Sequence, residues 1–277
     1  MKRRWAAGAA ILLVLVFTGS AIAAGWMFSY RLKPGQELIV THAGQTETNV
    51  MGQKQVTRNK TVIGYKISAG PKKGWVRVTA KILSAAGGMD LKKMTFTGDL
   101  HTSGEIRNQK VTGSAAPQMD GMEGMTPEMK AMMAQSYQFM ADAWKEMVFW
   151  FPEFPEEKLD IGDEFEVTRK MSGGGGAMGM TAVRKEIYTL EDVSDGLAYF
   201  SVKDRSVSQM QGAMGGKTKT KTAGKGETVF DLKDGMWMEV VSRFKSSTNM
   251  GAMTGMAGAG GGNFESRHIN KITIEQQ

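Results

Sequence analysis

No cysteine occurs anywhere in this chain of 277 residues. That single absence removes disulfides, thiolate metal sites, thiol nucleophiles and a lipidated N-terminal cysteine together. Histidine is nearly as scarce: His42, His101 and His268 are the only three, and none has a second histidine at ligand spacing. The chain also lacks an H-E-x-x-H helix, a G-x-S-x-G elbow and a G-x-G-x-x-G turn before a helix. The glycine run at 173–176 is not followed by the Lys-Ser/Thr pair that grips phosphate. Ser242 and Lys245 match S-x-x-K, but on a strand an offset of three sends them to opposite faces. Glu153, Glu156 and Glu157 crowd beside prolines and read as a solvated connector. A non-catalytic chain is therefore expected.

Long apolar runs are also few, and the main one is N-terminal. Lys2, Arg3 and Arg4 precede an apolar core at 11–17, and Ala21-Ile22-Ala23 has the small-x-small pattern of a cleavage site. Residues 1–23 are read as an export signal, which gives a periplasmic or secreted location; an uncleaved signal would instead anchor the chain in the inner membrane. Loss of Lys2, Arg3 and Arg4 leaves 32 basic against 28 acidic residues. So small a surplus does not suggest nucleic acid as a partner. The run KTKTKT at 217–222 puts its lysines on one face of a solvated or edge strand.

What the chain does have is alternation. Val76, Val78, Ala80 and Ile82 oppose Arg77, Thr79 and Lys81, and Ile272 and Ile274 oppose Lys271, Thr273 and Glu275. Met236, Met238, Val240 and Phe244 likewise oppose Glu239 and Arg243, although Trp237 and Val241 blur that face. One apolar and one polar face signal antiparallel sheet. The segments SDG at 194–196, KDG at 233–235 and AGPKKG at 69–74 supply the turns. There is also an internal echo: LKPGQELIVT at 32–41 matches LDIGDEFEVT at 159–168, and GWVRVTAKILS at 74–84 matches GLAYFSVKDRSVS at 196–208. The fold expected is mainly β: one curved antiparallel sheet or half-barrel built from two related meanders, 26–115 and 158–277, in a single domain. Residues 116–157 join them. Within that linker, Thr126-Pro127-Glu128 opens a helix over about 127–149 that Pro152 ends. Its stripe of Met129, Met133, Met140, Trp144 and Met147 covers the apolar face of the sheet.

The KPGQEL opening, the LDIGDEF passage and GETVFDLKDGMWMEV at 226–240 together resemble a group of exported bacterial β-rich proteins of uncharacterised function. In outline that group is similar to the periplasmic lipoprotein carriers, curved half-barrels whose apolar concave side is closed by helices and receives acyl chains. The group's pattern places Trp after the Gly-Asp turn, where this chain has Phe165. The resemblance implies carriage of a hydrophobic molecule such as a lipid or acyl chain, with no cofactor. Residues expected to face that ligand are Met133, Met140, Trp144, Met147, Met236 and Met238.

Methionine is abundant, at 23 residues, and much of it sits in glycine-rich connections. With second-half strands near 163–171, 181–191, 197–208, 226–232, 236–248 and 264–275, an unbroken meander puts the long connections at one end. Met178, Met180, Met210, Met214, Met250, Met253 and Met256 then share a rim, with Met51 and Met89 at matching connections of the first half. Three readings of that rim stand side by side. Thioethers suit an adaptable apolar contact surface; they select Cu(I) or Ag(I); or the tips are low-complexity loops without a ligand. An envelope interaction module with no small ligand is the third functional class.

Overall fold

The computed structural model describes residues 25–50, 53–85, 91–113, 126, 129–130, 141–142, 144–173, 179–211, 217–250 and 263–277. They form one curved, unclosed antiparallel sheet of eleven strands. In chain order these are β1 (Glu37–Val50), β2 (Gln53–Ala69), β3 (Trp75–Ser84), β4 (Thr95–His101) and β5 (Ile106–Thr112). After the linker come β6 (Glu164–Gly173), β7 (Gly179–Ser194), β8 (Leu197–Gln211), β9 (Lys217–Asp231), β10 (Met236–Met250) and β11 (Asn263–Gln276).

The spatial order is β5-β4-β3-β2-β1-β11-β10-β9-β8-β7-β6. Each half is an up-and-down meander, and the first and last strands of the whole sheet in sequence, β1 and β11, zip the halves together over Leu38–Gln276 to Thr48–Ser266. The edges are β5 and β6, the two strands that the linker joins. The strand KTKTKT belongs to β9, which lies between β8 and β10 and is not an edge. Its threonines serve the ladder instead: Thr220 and Thr222 hydroxyls bond Thr248 and Ser246 at 3.0 and 3.1 Å.

The sequence echo is repeated in the backbone. Gly35 donates to Ile67 carbonyl at 2.8 Å and Gly162 to Leu190 carbonyl at 2.7 Å. Ile67 and Leu190 in turn donate to Gln36 and Asp163 carbonyls at 2.9 and 3.0 Å. Both glycines adopt positive φ, 92° and 95°, a region that side chains resist. At the next turn Asp195 and Gly196 have φ of 52° and 78°, the two-residue hairpin geometry that Asp-Gly favours.

The apolar face holds two adjoining clusters. One centres on Val40, Ile63, Tyr65, Ile82 and Phe96, the other on Phe28, Tyr30, Phe154, Phe200, Phe230 and Trp237. The second contains two chain segments the strand pattern does not include. Residues 25–32 and 144–160 cross the inner face, linked to each other by a bridge between Trp26 and Leu159. Tyr65 hydroxyl donates to Val148 carbonyl at 2.9 Å, Tyr30 hydroxyl to Pro152 carbonyl at 3.0 Å, and Trp237 Nε1–H to Tyr30 oxygen at 2.8 Å. Gly98 leaves room for this crossing, since a Cβ there would lie 3.1 Å from the Phe149 ring.

Helical geometry is described at 129–130, 141–142 and 144–148. Thr126 caps as expected, its hydroxyl accepting from Met129 N–H at 3.3 Å and its carbonyl from Lys130 N–H at 3.1 Å. The intervening residues lie outside the described ones, so a continuous central helix is not established.

Candidate ligand site on the inner face of the sheet

Strand parity divides the inner face into bands along the strand axis. Nearest the tight turns lies the aromatic cluster, fully packed by the protein's own rings: Phe154 stands 5.0 Å from Phe230 and 5.6 Å from Trp237. Beyond it the same face turns polar. Cross-strand register aligns Glu186, Asp204, Gly224, Phe244, His268 and Thr46 in one row. The next row toward the long connections is Arg169, Arg184, Ser206, Thr222, Ser246 and Ser266.

A cavity of about 430 Å³ occupies this boundary, within the size range of small-molecule sites. Its apolar wall includes Met147, Val202, Val240, Phe244 and Ile272. Its polar wall is a charge network. Arg184 bonds Asp204 through Nε at 2.7 Å and Glu186 through Nη2 at 3.0 Å, while Arg169 reaches Glu186 at 3.4 Å and the Trp150 carbonyl. Burial alone would lower the Arg184 guanidinium, but Glu186 and Asp204 outweigh it and hold it above its ordinary value. Two glycines shape the floor. A Cβ on Gly224 would stand 2.3 Å from the Phe244 ring, so the missing side chain lets that ring lie across β9 toward the Arg184 guanidinium, 5.9 Å away. A Cβ on Gly44 would meet Asn59 Oδ1 at 2.2 Å.

Two cavity-lining side chains carry buried polar atoms with no hydrogen-bond partner among the described residues, His42 Nε2 and Trp150 Nε1, while Glu186 Oε2 has only the 3.4 Å ion-pair contact from Arg169. Burial lowers the His42 imidazole to about 4, so it is neutral at physiological pH. Unpaired buried groups are costly, of the order of 1–3 kcal/mol each. Here an indole donor and a neutral imidazole nitrogen face the same space.

Of the six residues expected to touch a ligand, Met147 lines this cavity. Trp144 packs against the first core cluster, and Met236 is buried within it. Met238 is 41 % exposed. A bulge between Trp237 and Glu239 accounts for the difference: it restarts the alternation of β10, so Trp237 takes the core position and Val240 and Phe244 face inward. Met133 and Met140 lie outside the described residues. The cavity residues that pattern reading did not single out are polar ones on the face it treated as apolar. Their signal is faint but present, since Arg184, Glu186 and Asp204 interrupt the inward parity of Ala182, Tyr188 and Val202.

Among the rim methionines, Met180 pairs with Met210, Met210 with Thr218, and Thr218 with Met250, placing all three on one register row of β7–β10. Met210 is 49 % exposed. Met51, Met89, Met178, Met214, Met253 and Met256 lie outside the described residues. Among the described residues no three His, Asp or Glu side chains gather as metal ligands, and no helix is long and apolar enough to cross a membrane.

No known protein family matches the chain, and neither does any curated protein. Solved structures with some likeness include OccK2 (OpdF) of Pseudomonas aeruginosa, at 7 % identity and a TM-score of 0.22 over 90 % of this chain and 99 % of that one. OccAB3 of Acinetobacter baumannii gives 6 % and 0.23 over 87 % and 99 %, and an outer membrane channel of Pseudomonas putida F1 gives 8 % and 0.19 over 89 % and 97 %. Overlaps this loose establish no shared function.

Proposed function

We propose that the chain is an exported, non-catalytic binding protein that holds a small amphipathic molecule, such as a lipid with a polar head, on the inner face of its sheet. The observation that carries this reading is the cavity in which Trp150 Nε1 and His42 Nε2 both lack partners beside an apolar wall. The hydrophobic-ligand expectation is thereby narrowed. The aromatic end of the concavity is filled by Phe154, Phe230 and Trp237, so a long acyl chain has no empty apolar trough there. A ligand would instead lay its apolar part on Val240, Phe244 and Ile272 and accept a hydrogen bond from Trp150. Native mass spectrometry and solvent extraction of protein purified from its own cell envelope should find a co-purifying amphiphile, depleted by Trp150→Phe. A protein recovered empty, with the cavity occupied by water alone, would remove the basis for this reading.

A second reading, Cu(I) or Ag(I) binding by thioethers, draws on the row of Met180, Met210 and Met250. A Cu(I) competition titration compares the chain with a variant carrying Leu at these three positions and with one carrying Leu at Met250, Met253 and Met256. Equal affinity in all three would end it.

A further inference from the structure

The two faces of β7–β11 differ in a way that net charge conceals. Opposite the core, directly paired residues repeatedly carry the same sign: Lys185 with Arg205, Lys203 with Lys225, Lys225 with Arg243, and Lys245 with Arg267. Like charges directly opposite on neighbouring strands destabilise a sheet. Only part of this is neutralised, Lys185 by Glu166 and Lys203 by Glu164. Arg205, Lys221, Lys225, Arg243 and Lys245 make no ion pair among the described residues. A hollow of about 760 Å³ on this part of the sheet is lined by Lys54, Arg205, Lys221, Lys245 and Arg267 against Glu47 and Glu265.

The opposite end of the strands is acidic. Glu153, Glu156, Glu157, Asp160, Asp163 and Glu164 lie before and at the start of β6, Glu191, Asp192 and Asp195 at the β7–β8 turn, and Asp231 and Asp234 at the β9–β10 turn. The molecule is thus polarised along its strands, with a basic flank that a local rule of sheet pairing argues against. Such a violation is expected where a partner supplies the missing counter-charge.

We infer that the exposed face of β7–β11 docks on an anionic phospholipid bilayer, its basic rows meeting the lipid phosphates. Val183, Val207 and Ile269, 46 %, 41 % and 44 % exposed, stand among the basic residues and suit the apolar side of a headgroup layer. The one large exposed aromatic side chain on this face among the described residues, Tyr199, stands at the acidic end opposite Asp192 and Val229, so the basic rows lack the stacking platforms that single-stranded nucleic acid requires. This inference does not depend on the inner cavity.

The test uses the chain from Ala24 onward, which carries every described strand and both core clusters. It is mixed with phosphatidylcholine vesicles with and without phosphatidylglycerol, over about 0.05 to 0.5 M salt. Binding should require phosphatidylglycerol and fade with salt. Joint replacement of Arg205, Lys225, Arg243 and Lys245 by Gln should weaken it about six-hundredfold, each basic residue near an anionic surface being worth about fivefold. The same variant should melt at the same or a higher temperature, because like-charge pairs are relieved, which separates lost docking from lost folding. Equal binding to pure phosphatidylcholine, no binding at low salt, an undiminished variant, or tighter capture by single-stranded DNA would each overturn the inference.

Discussion

His42 makes stability depend on pH. Its imidazole is held at about 4 by burial, against an ordinary 6.5 in the unfolded chain. Between these values the unfolded state binds more protons, so folding weakens as pH falls from 6.5 toward 4 and is fully supported above 6.5. The shift corresponds to about 3 kcal/mol. Burial also lowers His268, which adds to the same trend. Urea titrations should therefore show stability falling between pH 6.5 and 4, and His42→Phe should flatten most of that slope. An unchanged slope would mean that the imbalance lies elsewhere. His42 also lines the cavity, so a ligand bound there should move the transition to a different pH.

At the scale of elements, the paired glycines offer a controlled comparison. Gly35 and Gly162 both precede a strand, share the same hydrogen-bond pattern, and have nothing within 4 Å of where a Cβ would stand. Replacement by Ala therefore costs only the left-handed backbone, about 1 kcal/mol at each site and closely equal at the two. Equality within a few tenths, measured by denaturation, would show that the sequence echo is an energetic repeat as well as a geometric one. The crossing segment is the other test. Tyr65→Phe and Tyr30→Phe each leave a buried carbonyl, Val148 or Pro152, without that donor. Each should cost about 1–3 kcal/mol and raise amide exchange across 144–154 before it affects the strands.

These elements also mark what pattern reading can reach. Strand positions and turns were legible because period two and Asp-Gly pairs are local properties, and all six expected second-half strands overlap β6–β11. The bulge at Trp237 was not legible, since Met236, Trp237 and Met238 are all apolar and the extra residue leaves no mark in polarity. Neither was the pairing of β1 with β11, which lie more than two hundred residues apart in the chain. The polar half of the inner face was missed for a third reason: Ser, Thr and Gly at inward positions look like solvent-facing residues until a cavity is found over them. The basic rows were hidden because like-signed residues that meet across strands are scattered along the chain, where only their sum is visible.

For the whole molecule, the central question is what keeps an unclosed sheet from adding strands. Among the described residues both edges present unpaired backbone, and edges of that kind recruit other chains unless they are blunted. The β5 edge is short and irregular. Asn108 adopts φ of 53°, the register shifts opposite Thr97 to Asp99, and Arg107 and Lys110 place charge along it. Asp99 holds this corner, receiving Arg77 at 2.9 Å and Asn108 at 2.8 Å, and both bonds keep its carboxyl below the ordinary range. At the β6 edge, Glu164, Glu166 and Lys170 are exposed at alternate positions. The expected state is therefore a monomer at ordinary concentrations, checked by light scattering. Asn108→Val together with Lys110→Val should straighten β5, remove one bond to Asp99 and lengthen a neutral edge. That variant should self-associate with concentration while its far-ultraviolet spectrum stays β-rich. Should it remain monomeric, some other part of the chain must cover β5, and edge protection would not explain why the sheet stops at eleven strands.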